Sequence, residues 1–453
     1  MWRGGHMGQF GAFVFCAVLL AACSSEPGAT NGGETIGETS GDSGPVTSQP
    51  EDTLGPEGDC DIPDGQPFEE GDSVEVAELG TVNGATISGA LYPRPDYEGN
   101  PWSQWGQGIA LEDGRFYSAI GDHLGVDGNS YIYEYDPATS ELSLVGDILS
   151  HVDHEPGTWG YGKIHSQMVP GPCGEVYFST YWGTSSGLEF EGNYTGDLIF
   201  RLDPFGRTME PLTVPIEFHG QASLGADPTT GLIYGEAVDP IERDAGGMPG
   251  PFFAYDVSGE ATVFVSDIRS EVGYRSVLVD EDGVAYWSIG GGELQAYDPI
   301  TGESTTHDSE MPGDWLRAVT EPGPDGTVYG VTREPDVFFA MSPDGEITGI
   351  GDALGYTASM ALAPDGAAFF YMPGAHGNSS EWGSPLMSVD TSTGEQTVVA
   401  ELNELVMSEF GYRAGGTYNI AVSSDGERVL MGVNVGLGDE SFGEVILLVI
   451  DLP

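Results

Sequence analysis

The chain has 453 residues, with 72 Asp and Glu against 13 Lys and Arg, for a formal charge of −59. That balance excludes a basic phosphate-binding face, and with it nucleic acid as a partner; it suits a solvated, exported protein that its own charge keeps soluble. Seventy glycines and 30 prolines beside 10% aromatics describe a turn-rich globular chain, long enough for one large all-β domain or two ordinary ones.

The first element is an apolar run, GAFVFCAVLLAAC, which ends at Cys23. It is too short to span a bilayer and has the length of a signal-peptide core. Leu20-Ala21-Ala22-Cys23 resembles the bacterial lipobox. The resemblance implies a signal peptide over 1–22, lipidation of Cys23 and, with Ser24 following, sorting to the outer membrane or cell surface of a Gram-negative bacterium. Residues 23–71 are Gly, Ser, Thr, Pro and Glu with little that is apolar, and read as a flexible tether. Cys16 then leaves with the signal, so Cys60 and Cys173 are the remaining thiols. Export favours a Cys60–Cys173 disulfide over two free cysteines.

From residue 72 to 453 one pattern recurs. An apolar strand ends in Asp, turns, and leads into a second strand: YIYEYDPATSELSLVGD at 131, LIFRLDPFGRTMEPLTV at 198, FFAYDVSGEATVFVSD at 252, and LQAYDPITGESTTHD at 294. FFAMSPDGEITGIGD at 338 and LMSVDTSTGEQTVVAEL at 386 continue it, and ILLVIDLP at 446 stops where its partner should begin. A second hairpin precedes each, as in GIALEDGRFYSAI and SVLVDEDGVAYWSI. Two hairpins per unit, seven units and no helical periodicity predict an all-β, seven-bladed β-propeller of four-stranded antiparallel blades. The strand missing from the last unit and the orphan stretch SVEVAELGTV at 73–82 match in type. The expectation is that 73–82 lies beside 444–451 and closes the ring. The Asp-Gly pairs at 113, 282, 325, 365 and 425 read as turn formers, since they lack the further oxygens of a calcium loop.

The first strand of each blade lines the central channel. The segments entering those strands, and the loops joining strands two and three, open on one face. The entry segments are SQWGQ at 103, YGKIHSQ at 161, FHGQAS at 218, GYRSV at 273, DWLRAV at 314, GYTASM at 355 and GYRAGGTY at 411. They place Lys163 (the only lysine), Arg275, Arg317 and Arg413 at one rim with Tyr274, Tyr356, Tyr412, Trp105 and Trp315, while His165 and His219 come from adjacent blades. The two-to-three loops add His123, Trp182, Arg333, His376 and Trp382. Such a mouth suits a ligand with carboxylate or sulfate groups and a stackable sugar face, because guanidinium matches carboxylate with paired donors. The alternative is blade-to-blade glue, with Arg and Tyr spent on neighbouring carbonyls.

In overall plan the chain resembles propeller polysaccharide lyases such as ulvan and oligogalacturonate lyases. That resemblance implies β-elimination on a uronate polymer. Lys163, Arg275, Arg317 and Arg413 would bind or neutralise the carboxylate, beside Trp315, Tyr356 and Trp182. His165 or His219 would be the base, and Tyr274 or Tyr412 the acid. The competing reading is a receptor or interaction scaffold that uses the same mouth without a base. Gluconolactonase-type propellers hold a divalent metal on Glu, Asn and Asp, and the entry segments here offer few carboxylates. A site resembling that of virginiamycin lyases would place magnesium on His165, His219 and Glu236. A divalent cation is thus the alternative to having no cofactor. The expected molecule is a lipid-anchored monomer that meets an anionic polysaccharide or oligosaccharide.

Overall fold

The computed structural model describes residues 62, 65–69, 71–96, 102–181, 193–238, 250–270, 276–375, 378–438, 440 and 442–453. Seven antiparallel sheets follow one another along the chain as the blades of a β-propeller. Blade 1 runs Ile109–Ala110, Phe116–Gly121, Ser130–Asp136, Glu141–Asp147; blade 2 runs Val169–Pro170, Val176–Tyr181, Ile199–Asp203, Thr208–Thr213, with Lys163–Ile164 ahead of it on the same second strand. Blades 3, 4, 5 and 6 begin at Gly220, Leu278, Trp315 and Met360, and blade 7 at Arg413.

The second and third strands are apolar on both faces because each is sandwiched between neighbouring blades. Seven hydrophobic clusters fill the seven interfaces, including one that joins blade 7 (Leu430, Leu447, Val449) to blade 1 (Phe116, Tyr133, Leu142). Between blades 3 and 4, Phe252 stacks on Trp287 with ring centroids 4.1 Å apart. The ring is therefore closed by apolar packing as well as by strand pairing.

The closing strand differs from the expectation. Ala85–Leu91, not 73–82, pairs with Glu444–Asp451, in a register that sets Leu448 opposite Gly89. Ala77–Val82 folds back on it as a fifth strand through a turn at Asn83 (φ 52°) and Gly84 (φ 93°). Asn-Gly is the strongest short hairpin signal because both central residues need positive φ. The apolar inward positions Ala85 and Ile87 are fully buried, whereas 77–82 is half polar and stays outside. Farther toward the N-terminus, Ser73–Glu75 pairs with the outer strand of blade 1, and Gln66–Pro67 with that of blade 2. The propeller edge thus begins inside the stretch read as tether.

Two smaller differences bear on the site. An eight-residue helix, Asn403–Phe410, lies between blades 6 and 7, with Val406 buried and Gly411 as its left-handed cap (φ 75°). It is too short for a periodicity to stand out in the sequence. The Asp-Gly turns behave as read. The carboxylates of Asp113, Asp325, Asp365 and Asp425 each accept the backbone N–H two residues on, and the intervening glycines have positive φ. At the fifth turn Asp280 does this work in place of Asp282.

Cys173 sits in the one-to-two turn of blade 2 and is disulfide-bonded. Its backbone N–H donates to Glu175, 2.7 Å away. Cys60 and Cys23 lie outside the described residues. Among the described residues no helix is long and apolar enough to cross a membrane.

Candidate functional site at the channel mouth

The segment entering blade 1 is pinned before its side chains are used. Asn434 of blade 7 accepts from the Gln104 N–H at 2.8 Å and donates back to the Gln104 carbonyl at 2.9 Å. This fixes Trp105, whose indole N–H donates to Ser103 Oγ at 2.7 Å; the same hydroxyl meets His123 Nε2 at 3.2 Å. Burial, and secondarily the charge of Lys163, hold His123 well below its ordinary pKa. The Ser103–His123 contact and the indole N–H bond to the same hydroxyl together orient the indole.

Trp105 is the hub. Tyr418 and Phe442, both from blade 7, stack on it with centroids 4.9 and 5.3 Å away. Lys163 Nζ stands 4.0 Å from its centroid and 5.3 Å from that of Tyr181. His165 stacks on Tyr181 at 4.8 Å, and its Nδ1 is 3.1 Å from the Ala222 carbonyl of blade 3. A carbonyl only accepts, so Nδ1 carries a hydrogen and donates it. Lys163 and His165 stand side by side because strand 163–164 pairs with the end of strand 176–181. That pairing sets Lys163 opposite Tyr181.

A second group of cations completes the arc. The guanidinium carbons of Arg317 and Arg333 each lie 4.9 Å from the centroid of Tyr356, and Arg333 is 6.0 Å from Trp315. Trp315 and Arg333 face each other across the first two strands of blade 5. Tyr356, Trp105 and Phe442 all pack against the small cluster Ala358, Ala375 and Tyr418, which joins the two groups. Beneath the arc Asp336 is raised by burial, an effect that Arg333 and Arg317 oppose; Asp122 is pushed up by burial to about 7.

The structure brings together Lys163, His165, Arg317 and Tyr356 of the expected residues, with Trp315 at the margin. Arg413 is at the rim between blades 6 and 7, where its Nε donates to Ser380 Oγ at 2.8 Å. Tyr412 is half-buried. It packs with Leu405 and Phe410 on the core between blades 6 and 7, because Gly411 caps the helix and turns the chain. His219 is half-buried and bonded to its own turn, Nδ1 being 2.8 Å from the Glu217 carbonyl. Tyr274, Arg275, Trp182 and His376 lie outside the described residues. His165, His219 and Glu236 do not form a metal-binding group, and among the described residues no three His, Cys, Asp or Glu side chains are placed to do so.

Sequence reading missed Tyr181, Tyr418 and Phe442. The available signal for Tyr418 was its place five residues into an entry strand. Bulges at Ala414/Gly416 and Thr417/Asn419 lengthen that strand and turn Tyr418 toward Trp105.

No family model and no curated protein sequence matches the chain. Among solved structures, the WD40 repeats of RRP9 align with 84% of this chain and 100% of their own, at 10% identity and a TM-score of 0.52. U3-55K aligns with 80% of this chain and 98% of its own, at 10% identity and 0.51. Virginiamycin B lyase from Staphylococcus aureus aligns with 80% and 99%, at 11% identity and 0.49. At such identities the likeness is one of fold.

Proposed function

We propose that this propeller is a lipid-anchored surface protein that binds a carboxylate-bearing, uronate-type glycan at its channel mouth. The observation that carries the reading is the continuous arc from Arg333, Tyr356 and Arg317 to Trp105 and Lys163. Elsewhere Arg94, Arg115, Arg201, Arg207 and Arg428 form ion pairs with carboxylates. At the mouth Lys163, Arg317 and Arg333 lie over rings, as Arg94, Arg115 and Arg207 also do in their own places. A ring face orients a cation for about 0.5–2 kcal/mol. The cations of this arc suit an anion, and its rings suit sugar C–H faces.

Cleavage by β-elimination is the second reading, and the contact of Lys163, His165 and Tyr181 favours it. A base must reach the sugar C5 proton, whereas His165 is only 6% exposed and is stacked on both Trp105 and Tyr181. Binding without chemistry therefore ranks first. The test is a panel of uronate polymers with a neutral glucan as control. Binding and the absorbance of unsaturated product would be followed for wild type and His165→Ala. The receptor reading expects both proteins to bind and neither to form product. Product from wild type alone would establish elimination, and equal affinity for the neutral glucan would remove the anionic site altogether.

The anchor rests on Leu20-Ala21-Ala22-Cys23. Labelled palmitate should enter the wild type and not Cys23→Ser; label in both would rule out this attachment point.

A further inference from the structure

Trp382 stands 41% exposed at the rim of the same opening, in a short turn of 3-10 helix, Ser379–Trp382, within the two-to-three loop of blade 6. Its indole is set by backbone. A Cβ added to Gly355 would lie 2.5 Å from Nε1, so the ring edge rests against the chain just before Tyr356. The Tyr356 carbonyl accepts the N–H groups of Gly374 and Ala375, each at 3.0 Å, which ties the start of that loop to the arc. The helix ends on Gly383 in the left-handed region (φ 88°), whose N–H returns to the Ser379 and Ser380 carbonyls. Ser380 Oγ in turn accepts from Arg413 Nε at 2.8 Å. Leu354, 53% exposed, adjoins Gly355 and extends the apolar surface. The charge here differs from that of the arc. Glu381 is exposed next to Trp382 in the helix, and Glu401 Oε2 would stand 2.5 Å from a Cβ on Gly383.

We infer, on the glycan-binding reading above, that Trp382 is the platform of a second subsite, which takes a neutral sugar unit of the same chain whose uronate sits on the arc. An indole left in water carries apolar surface that the C–H face of a sugar covers. The backbone at Gly355 and Gly383 already holds the ring, so little order has to be created when the ligand arrives. Gly355 joins the two rings: it precedes Tyr356 and underlies Trp382, so units of one chain reach both. Glu381 and Glu401 decide the charge of the unit at Trp382. A second uronate there would approach both carboxylates and be repelled, whereas sugar hydroxyls can donate to them. Arg413 bonds the same helix through Ser380 and offsets one of the two carboxylates, not both. The ligand class is therefore an acidic heteropolysaccharide, with neutral and uronate units in one chain, rather than a homopolymer of uronate.

Isothermal titration of the full chain compares three ligands: a uronate disaccharide, a uronate hexasaccharide, and a hexasaccharide in which uronate and neutral units alternate. Wild type should prefer the alternating hexasaccharide to the uronate one. Trp382→Ala should weaken the alternating hexasaccharide by about 5- to 30-fold. It should leave the disaccharide unchanged, which also shows the arc intact in that variant. Gly355→Ala crowds the indole without removing it and should give a smaller loss. Unchanged hexasaccharide affinity in Trp382→Ala would overturn the subsite alone, and so would an equal loss of the disaccharide. A wild type that held the uronate hexasaccharide as tightly as the alternating one would overturn the neutral assignment. Failure of wild type to bind any of the three would remove the uronate reading itself, and the subsite with it, before a variant is made.

Discussion

Replacing Ile87 by Asp is expected to abolish the cooperative fold, or to lower its denaturant midpoint more than any substitution at the mouth. Ile87 is fully buried in the cluster between blades 6 and 7, among Leu386, Val406, Ile446, Leu448 and Ile450. Removing a buried Ile side chain costs about 2–5 kcal/mol, and an unpaired carboxylate in its place adds several more. Against a total stability of about 5–15 kcal/mol, that is most of what holds the ring shut. Deleting residues 1–91 should act in the same direction and further. It strips six ladder positions from Glu444–Asp451 and leaves an apolar edge open to pairing between molecules. The matched control is Thr81→Asp, on the exposed outer strand, with an expected change within about 0.5 kcal/mol. A peptide spanning 77–91, supplied in trans, should restore solubility to the truncated chain. An unchanged midpoint after truncation would mean that apolar packing between blades closes the ring without the strand.

The same region shows what could be read from sequence and what could not. Blade number and turn chemistry were legible because each hairpin carries local instructions: an Asp that caps its own turn and a glycine at positive φ, as at Asp325 and Gly326. The closing strand was misplaced because the alternation of 73–82 was weighed above the Asn83-Gly84 turn, which marks two strands where one was drawn. The repeated Gly-Tyr steps misled for a different reason. Gly355 lies against Trp382 at the rim and sends Tyr356 between two arginines, whereas Gly411 ends a helix and leaves Tyr412 half-buried against a core cluster. Identical dipeptides differ here by the element that precedes them. Lys163, His165 and Trp105 could be assigned to one opening from strand order alone. Their ring partners could not, because Trp105 meets Tyr418 and Phe442 across more than 300 residues of chain, through a strand whose bulges reset its register.

Lys163→Met and Arg333→Met should each weaken binding of a uronate oligosaccharide by about 10- to 100-fold. Methionine keeps an unbranched apolar stem against Trp105 and Tyr356, so the packing survives and the charge is lost. A charge-assisted hydrogen bond contributes about 1.5–3 kcal/mol, which sets the expected loss per ligand carboxylate. Arg428→Met is the control, since that side chain is committed to Asp451 at 2.7 Å on the outer part of blade 7. Isothermal titration with a carboxylate-bearing oligosaccharide and with its carboxyl-reduced form separates the two contributions. The reduced form should bind the wild type about as weakly as the charged form binds the variants. Salt makes the argument sharper. The body at −59 repels an anionic polymer, and that repulsion is screened beyond about 8 Å at physiological ionic strength. The cations at the opening act at contact, so affinity should persist through moderate salt. Affinity that only rose with added salt would show the global repulsion still in command, and the mouth too weakly cationic to hold its ligand.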